Sequence, residues 1–246
     1  MVEKIAQLIR EAKHTVALTG AGISVPSGIP DFRSHGGLWT TYPIEEYGTI
    51  QAFRRDPYKV WRLFKAISGT VDTAQPNAGH KALAWLEQMG LLQAVITQNI
   101  DWLHQRAGSK NVIEFHGSAG TYTCLSCHAR YPREETHEML DDDGIPHCTC
   151  DTPLKPDIIL FGESIPQEGL REAYSHAHRA DLILVIGTSA QVAPASMLPP
   201  VVASHGGKIV EFNLEHTSLT SSAHVHAAGD ASRTLPALVE AVENPD

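Results

Sequence analysis

Six short apolar runs, Thr15–Thr19, Ala94–Thr97, Val112–Phe115, Ile158–Phe161, Leu182–Ile186 and Ile209–Phe212, narrow the fold more than any other feature of the chain. A strand that stays apolar at consecutive positions is covered on both faces, as in parallel sheets flanked by helices. Helical spacing appears between the runs: Ile5, Leu8, Ile9 and Ala12 recur at three and four residues, and the stretches 77–89, 167–179 and 231–243 are long enough for helices. The alternation predicts an α/β fold, a Rossmann-like parallel sheet with helices on both faces.

Polar and glycine residues follow nearly every run: Gly20-Ala21-Gly22, Gln98-Asn99, His116-Gly117, Gly162-Glu163, Gly187-Thr188-Ser189 and Asn213. In an open α/β sheet these are the carboxyl ends of the strands, where ligands bind. Two segments interrupt the alternation. Residues 38–69 are aromatic-rich and read as a helical insertion. Residues 119–156 hold all four cysteines, and the pairing of those cysteines in one short stretch suggests a local metal site more than a disulfide frame. The expected organisation is a sheet domain of 1–37, 70–118 and 157–246, with 38–69 and 119–156 forming a small lobe.

The formal charge of −9 argues against a phosphate-backbone binder, because such affinity comes from Lys and Arg, and it offers lysine-rich peptides a favourable field. The first residues lack a secretory signal pattern, and Leu182–Ile186 is too short to cross a bilayer, so the expected place is the cytosol, with no membrane partner.

Gly20-Ala21-Gly22-Ile23-Ser24 follows the first run, so its backbone can approach a pyrophosphate closely. The hydride-transfer fingerprint needs glycine at position 25, where Val25 stands. Taken alone, the segment could equally be a tight turn. With it stand Gly28-Ile29-Pro30-Asp31-Phe32-Arg33, Thr97-Gln98-Asn99-Ile100-Asp101, His104-Gln105-Arg106-Ala107-Gly108, His116-Gly117 and Phe161-Gly162-Glu163. In this order and spacing, across almost the whole chain, they resemble the signature of the sirtuin family.

The resemblance implies an NAD-consuming protein-lysine deacylase: the bond between nicotinamide and ribose is cleaved while an acyl-lysine carbonyl oxygen attacks the ribose carbon. It implies that Gly20, Ala21, Gly22, Ser24, Asp31, Phe32 and Arg33 belong to the cofactor loop, with Phe32 over the reacting ribose. Gln98, Asn99, Ile100 and Asp101 fall to the ribose and nicotinamide pocket, Asp101 accepting from the carboxamide and Ile100 walling the departing ring from water. The structural alternative for Asn99 and Asp101 is capping of the helix that follows. His116, with Asn99 beside it in the catalytic set, is implied as the general base at a ribose hydroxyl, a task suited to imidazole near neutral pH.

Gly187, Thr188, Ser189, Asn213 and Leu214 match positions holding the adenosine half, with Asp230 and Ala231 near the adenine; an ordinary helix start is the alternative for the first three. Phe161, Gly162 and Glu163, with Gln191-Val192-Ala193, resemble the edges between which a substrate peptide lies as an added strand. Cys124, Cys127, Cys148 and Cys150 resemble the family's structural zinc site, a closed thiolate tetrahedron. The second pair is one residue apart where two is common, which leaves His128 or His147 as a substitute ligand. Family members that take acidic acyl groups carry a Tyr and an Arg three positions apart in the aromatic segment. No such pair occurs in 57–67, so acetyl and longer apolar acyl groups are expected. The chain is expected to act as a monomer. ADP-ribosyl transfer, hydride transfer and a non-catalytic NAD sensor are the rivals; Val25 opposes the second, and the joint presence of Asn99, Asp101 and His116 opposes the third.

Overall fold

The computed structural model describes residues 1–32 and 36–245. Its strands, in chain order, are β1 (Thr15–Thr19), β2 (Ala94–Thr97), β3 (Val112–Glu114), β4 (Gly117–Cys124), β5 (Arg130–Pro132), β6 (Leu154–Ile158), β7 (Leu182–Ile186), β8 (Lys208–Asn213) and β9 (Val225–Ala228). The residues group into two compact units. Unit 1 comprises Met1–Asp31, Ala74–Phe115 and Pro166–Asp246, and unit 2 comprises Phe32–Thr73 and His116–Ile165.

Unit 1 holds a six-stranded sheet of order β3-β2-β1-β7-β8-β9, and every pairing in it is parallel. β1, β2 and β7 are buried at every position, as their unbroken apolar runs require. Ala17, Val95, Leu184, Val210 and Phe212 form one apolar cluster with Ile5 and Ile9 of the helix Val2–Glu11, Leu83 and Leu86 of Ala78–Gln88, and Leu235 and Leu238 of Ala231–Glu243. The helices Ala78–Gln88, Gln167–Arg179 and Ala231–Glu243 fall where the periodicity puts them. Asn77 and Asp230 cap two of them, their side-chain oxygens accepting from the amides of Gly79 and Ser232. From β1 the chain winds to β2 and β3 on one side, and later from β7 to β8 and β9 on the other. The order therefore reverses between β1 and β7, the switch point of a doubly wound sheet.

Unit 2 carries an antiparallel sheet, β5-β4-β6, and the helices Leu38–Thr41, Ile44–Tyr47, Ile50–Arg55 and Pro57–Thr73. Trp61 anchors it: the indole Nε1 donates to Leu154 O at 2.9 Å, and its ring meets Phe64 and Tyr122 edge-on. One expectation is corrected. Ile158–Phe161 is not a strand of the parallel sheet: Leu154–Ile158 pairs antiparallel with β4, and the chain leaves the sheet after Ile158. A short apolar run requires only cover on both sides, and here unit 2 supplies it.

No helix among the described residues is long and apolar enough to cross a membrane.

Candidate active site

The loops leaving β1 and β7 meet at the switch point. A Cβ on Gly20 would stand 2.7 Å from Thr188 Cβ, and one on Gly22 2.7 Å from Gly187 Cα, so the two strand ends touch only because these positions lack side chains. The Gly20 and Gly22 amides donate to Ile186 O and Gly187 O at 3.0 and 2.8 Å, and those of Ile23 and Ser24 close a turn onto Gly20 O and Ala21 O. The glycines thus serve backbone packing, and a route for pyrophosphate to those four amides is not their structural reason.

A buried polar network lies beneath this loop. Ser24 Oγ donates to Asp101 Oδ2 at 2.6 Å and accepts from Asn99 Nδ2 at 3.1 Å, while Asn99 Nδ2 also reaches Gly20 O at 3.2 Å. His80 Nε2 sits 3.4 Å from Ser24 Oγ, and His80 Nδ1 accepts from the Asn77 amide at 3.4 Å, so the ring proton belongs on Nε2. Ser24 is then satisfied on all three sides, one hydrogen given and two received. Asp101 Oδ1 accepts from the Leu103 amide at 3.0 Å, satisfying the first amide of the helix from one position before its N-cap Trp102, while the other oxygen serves Ser24. Ser24, His80, Asn99 and Asp101 are all buried, and Ile100 is half-buried beside them. Gln98 Nε2 donates to Thr188 Oγ1 at 2.9 Å, and Asn213 Nδ2 donates to Thr188 O at 3.0 Å, linking the ends of β2, β7 and β8. Leu214 follows, exposed, and Ala231 opens the helix that Asp230 caps. Ser189 and Asp31 are half-buried.

Two histidines below the site are held neutral. Burial pushes His80 down to about 4, against the opposing pull of Asp101, and pushes His104 down to about 3, with His80 adding to the effect. His104 Nε2 lies 2.9 Å from Thr19 Oγ1, and its Nδ1 is buried without a hydrogen-bond partner among the described residues. Unfolding frees both rings to take up protons with an ordinary value near 6.5. Stability is therefore intact above pH ~6.5 and falls as pH drops through 6.5 toward 4 for His80 and 3 for His104, by about 1.4 kcal/mol per unit for each ring at most. Urea midpoints at pH 7.5 and 4.5 should show this loss, and His104→Gln should flatten it; an equally steep loss in that variant refutes the cause.

In unit 2, His116 directly follows Phe115, and its carbonyl accepts from the Ile159 amide at 2.8 Å. Gly117 next to it has φ +74, and a Cβ there would fall 2.1 Å from Asp157 O, so the glycine is obligatory. Phe161 pairs with Thr49 through Phe161 N to Gly48 O at 2.8 Å and Ile50 N to Phe161 O at 3.0 Å. Glu163 is clasped by Lys155, a buried ammonium 3.0 Å from Glu163 Oε2 that also donates to Pro156 O and Ile158 O, and Glu163 Oε2 accepts from the Leu160 amide. Phe32 stacks obliquely on Trp39, and Trp39 on Phe161, at ring separations of 5.3 and 6.1 Å. Val192 lies in unit 1. Arg33 lies outside the described residues.

The four cysteine sulfurs lie within 4.8 Å of one another, with separations of 3.4 Å for Cys127–Cys148, 3.6 Å for Cys124–Cys150 and 3.7 Å for Cys127–Cys150. A zinc tetrahedron with Zn–S of about 2.3 Å has edges of about 3.8 Å, so the donor set fits that metal. The Cys150 amide and the Tyr131 hydroxyl hold the Cys148 thiol down to about 6, favouring a thiolate. Among the described residues neither His128 nor His147 belongs to the cluster: His147 turns its Nε2 to Asp141 at 3.0 Å, and His128 is exposed. The one-residue spacing of the second pair therefore still delivers four sulfurs.

His80 and Lys155 were not legible as site residues. The first has a signal, a histidine three positions after a capping asparagine on the buried helix face; the second has none, since a lysine inside a strand reads as solvent-facing.

A doubly wound sheet that gathers a buried Ser–Asn–Asp–His network at its switch point defines an α/β protein built to hold a nucleotide. Residues 20–194 match the Sir2 family model, and the chain belongs to that family. It is 45% identical over 248 residues, 99% of this chain and 96% of the relative, to an NAD-dependent protein deacylase of Thermococcus kodakarensis. A structure from a study of the mechanism and regulation of Sir2 enzymes superposes with a TM-score of 0.93 at 43% identity, covering 98% of this chain and 97% of the other. A Sir2 variant solved with a deacetylated p53 peptide and 3'-O-acetyl ADP ribose gives 0.92 at 40% identity, with 97% of each chain covered.

Proposed function

We propose that this chain removes acetyl groups, and longer apolar acyl groups, from lysine side chains of proteins, with NAD as co-substrate and nicotinamide, O-acetyl-ADP-ribose and free lysine as products. The buried Ser24–Asn99–Asp101 network at the switch point carries this reading. NAD supplies an activated ribose carbon whose bond to nicotinamide can break. Asp101 accepts from the carboxamide; a carboxylate has about four lone-pair directions, and Ser24 and Leu103 use two of them. Ile100 excludes water from the departing ring, and Asn99 orients the ribose. His116 takes the proton from a ribose hydroxyl. Gly20, Ala21, Gly22, Ser24, Asp31, Phe32 and Arg33 enclose the phosphates and ribose. Gln98 lies with Asn99 at the ribose, and Gly187, Thr188, Ser189, Asn213, Leu214 and Ala231 hold the adenosine side. Phe161, Gly162, Glu163 and Val192 take the peptide; Phe161 N and O are engaged by Gly48 and Ile50, so Phe161 serves by its ring, and the backbone hydrogen bonds, which accept many sequences, fall to the Gly162 and Val192 backbones and the Glu163 carbonyl.

The acyl preference follows from the helix Pro57–Thr73. It buries Val60, Trp61, Leu63 and Phe64, while Arg62 and Lys65 are exposed, so no cation is buried there to hold an acidic tail. Purified protein incubated with NAD and an acetyl-lysine peptide should release nicotinamide and deacetylated peptide in equal amounts. With a succinyl peptide, kcat/KM should be at least about 100-fold lower, the value of one missing charge-assisted hydrogen-bond pair. ADP-ribosylated protein in place of deacetylated peptide, or efficient desuccinylation, would overturn the respective part. Zinc bound by Cys124, Cys127, Cys148 and Cys150 folds unit 2 and takes no part in the chemistry. The four reduced thiols suit the cytosol, where the chain acts as a monomer without nucleic-acid or membrane partners.

A further inference from the structure

Glu211 is a carboxylate buried completely in β8, between Val210 and Phe212, which point into the apolar cluster on the opposite face of the sheet. Burial of that kind is costly unless hydrogen bonds replace the lost water, and here three side chains do so. His226, its register partner on β9, places Nδ1 2.9 Å from Glu211 Oε2. Thr220 Oγ1 donates to the same oxygen at 2.5 Å, and Thr217 Oγ1 donates to Oε1. The two threonines also bind their own loop, Thr220 Oγ1 accepting from the Thr217 amide at 2.8 Å and Thr217 Oγ1 from the Leu219 amide at 3.1 Å. His216 lies against the His226 ring, centroids 4.7 Å apart at 30°.

The connection from β8 to β9 is thereby fastened to one carboxylate beneath it. It begins at Leu214, directly after Asn213, which ends β8 two residues beyond Glu211. Asn213 Nδ2 reaches Thr188 O, the Leu214 amide donates to Asn213 Oδ1 at 2.9 Å, and Leu214, 70% exposed, follows the carboxyl end of β8.

We propose that Glu211 is a positioning residue for the adenosine half of NAD: through Thr217, Thr220 and His226 it fixes the loop that follows Asn213 and opens with Leu214, the two residues that bind that half. The inference rests on the NAD reading above. It assigns the network an effect on nucleotide affinity and none on the reacting ribose or the peptide.

The test is calorimetric titration of ADP-ribose into the wild type, the Thr217→Val/Thr220→Val double variant and the Thr217→Ser/Thr220→Ser double variant, with steady-state kinetics beside it. Loss of two hydrogen bonds to a charged group, partly offset by loop rearrangement, should raise the Kd for ADP-ribose and the KM for NAD by about ten-fold in the valine variant. The kcat at saturating NAD and the KM for acetyl peptide should stay within about two-fold, and the serine variant, which keeps both donors, should match the wild type. Unchanged ADP-ribose affinity in the valine variant overturns the proposal, as does a parallel fall of kcat and peptide affinity, which marks a merely structural role. Should the valine variant not fold, Glu211→Gln, which keeps the shape and one acceptor, is judged by the same criteria. A wild type that fails to bind ADP-ribose at all refutes the NAD reading itself.

Discussion

Replacing His116 with alanine is expected to lower kcat for deacetylation by about a thousand-fold or more, in the upper part of the range for loss of a general base. The fold should survive. A backbone hydrogen bond at this position, from Ile159 N to His116 O, is kept in the variant, and the demanding backbone geometry belongs to Gly117. The residues that would hold the nucleotide, Ser24, Asn99, Asp101, Gln98 and Asn213, are not altered, so ADP-ribose should bind within about two-fold of the wild type. Rapid-quench measurement of deacetylated peptide, with a thermal melt and ADP-ribose titration as controls, separates chemistry from binding and stability. A folded His116→Ala protein with wild-type turnover would remove the base assignment.

Loss of the metal should be the largest effect on stability. Apparent binding energies for structural zinc run to about 10–16 kcal/mol, whereas whole domains are stable by about 5–15 kcal/mol. Cys148→Ser, or exhaustive chelation, is therefore expected to leave unit 2 unfolded, because Cys124 closes β4, and Cys124 and Cys148 pack with Leu154 of β6. One zinc per chain should fall to none by mass spectrometry. Amides of residues 117–124 and 154–158 should lose hydrogen-exchange protection ahead of those in β1 and β7. A metal-free protein that keeps its melting temperature and its deacetylase activity would refute the structural role.

The parallel sheet was legible because burial on both faces removes the ambiguity of an alternating pattern: β1, β2 and β7 announce themselves. At the sheet's edge the signal weakens. β9, Val-His-Ala-Ala, carries an imidazole on a face covered by its own loop, and no apolar run marks it. β4 and β6 were missed for a different reason. The first is built of small residues around Gly117 and Gly120, and the second contains Lys155 and Pro156, residues foreign to sheet interiors; what holds them is the Trp61 indole and the Lys155–Glu163 pair, contacts far apart in sequence. The cysteines were legible as one site; that their four sulfurs gather together while His147 turns to Asp141 is a matter of tertiary contact that spacing does not encode. Asn99 and Asp101 were legible as a pair; His80, which meets them through Ser24, was hidden in the start of a helix.

The contact of Gly20 and Gly22 with Gly187 makes the loop after β1, the proposed nucleotide loop, a shared possession of two distant segments. A substitution at any of the three closes the same gap, so none can be compensated by trimming the others, which are already without side chains. Transplanting residues 20–24 into another doubly wound scaffold would then carry over the letters without the shape. Whoever alters cofactor choice in this chain must redraw the ends of β1 and β7 together, as a single joint.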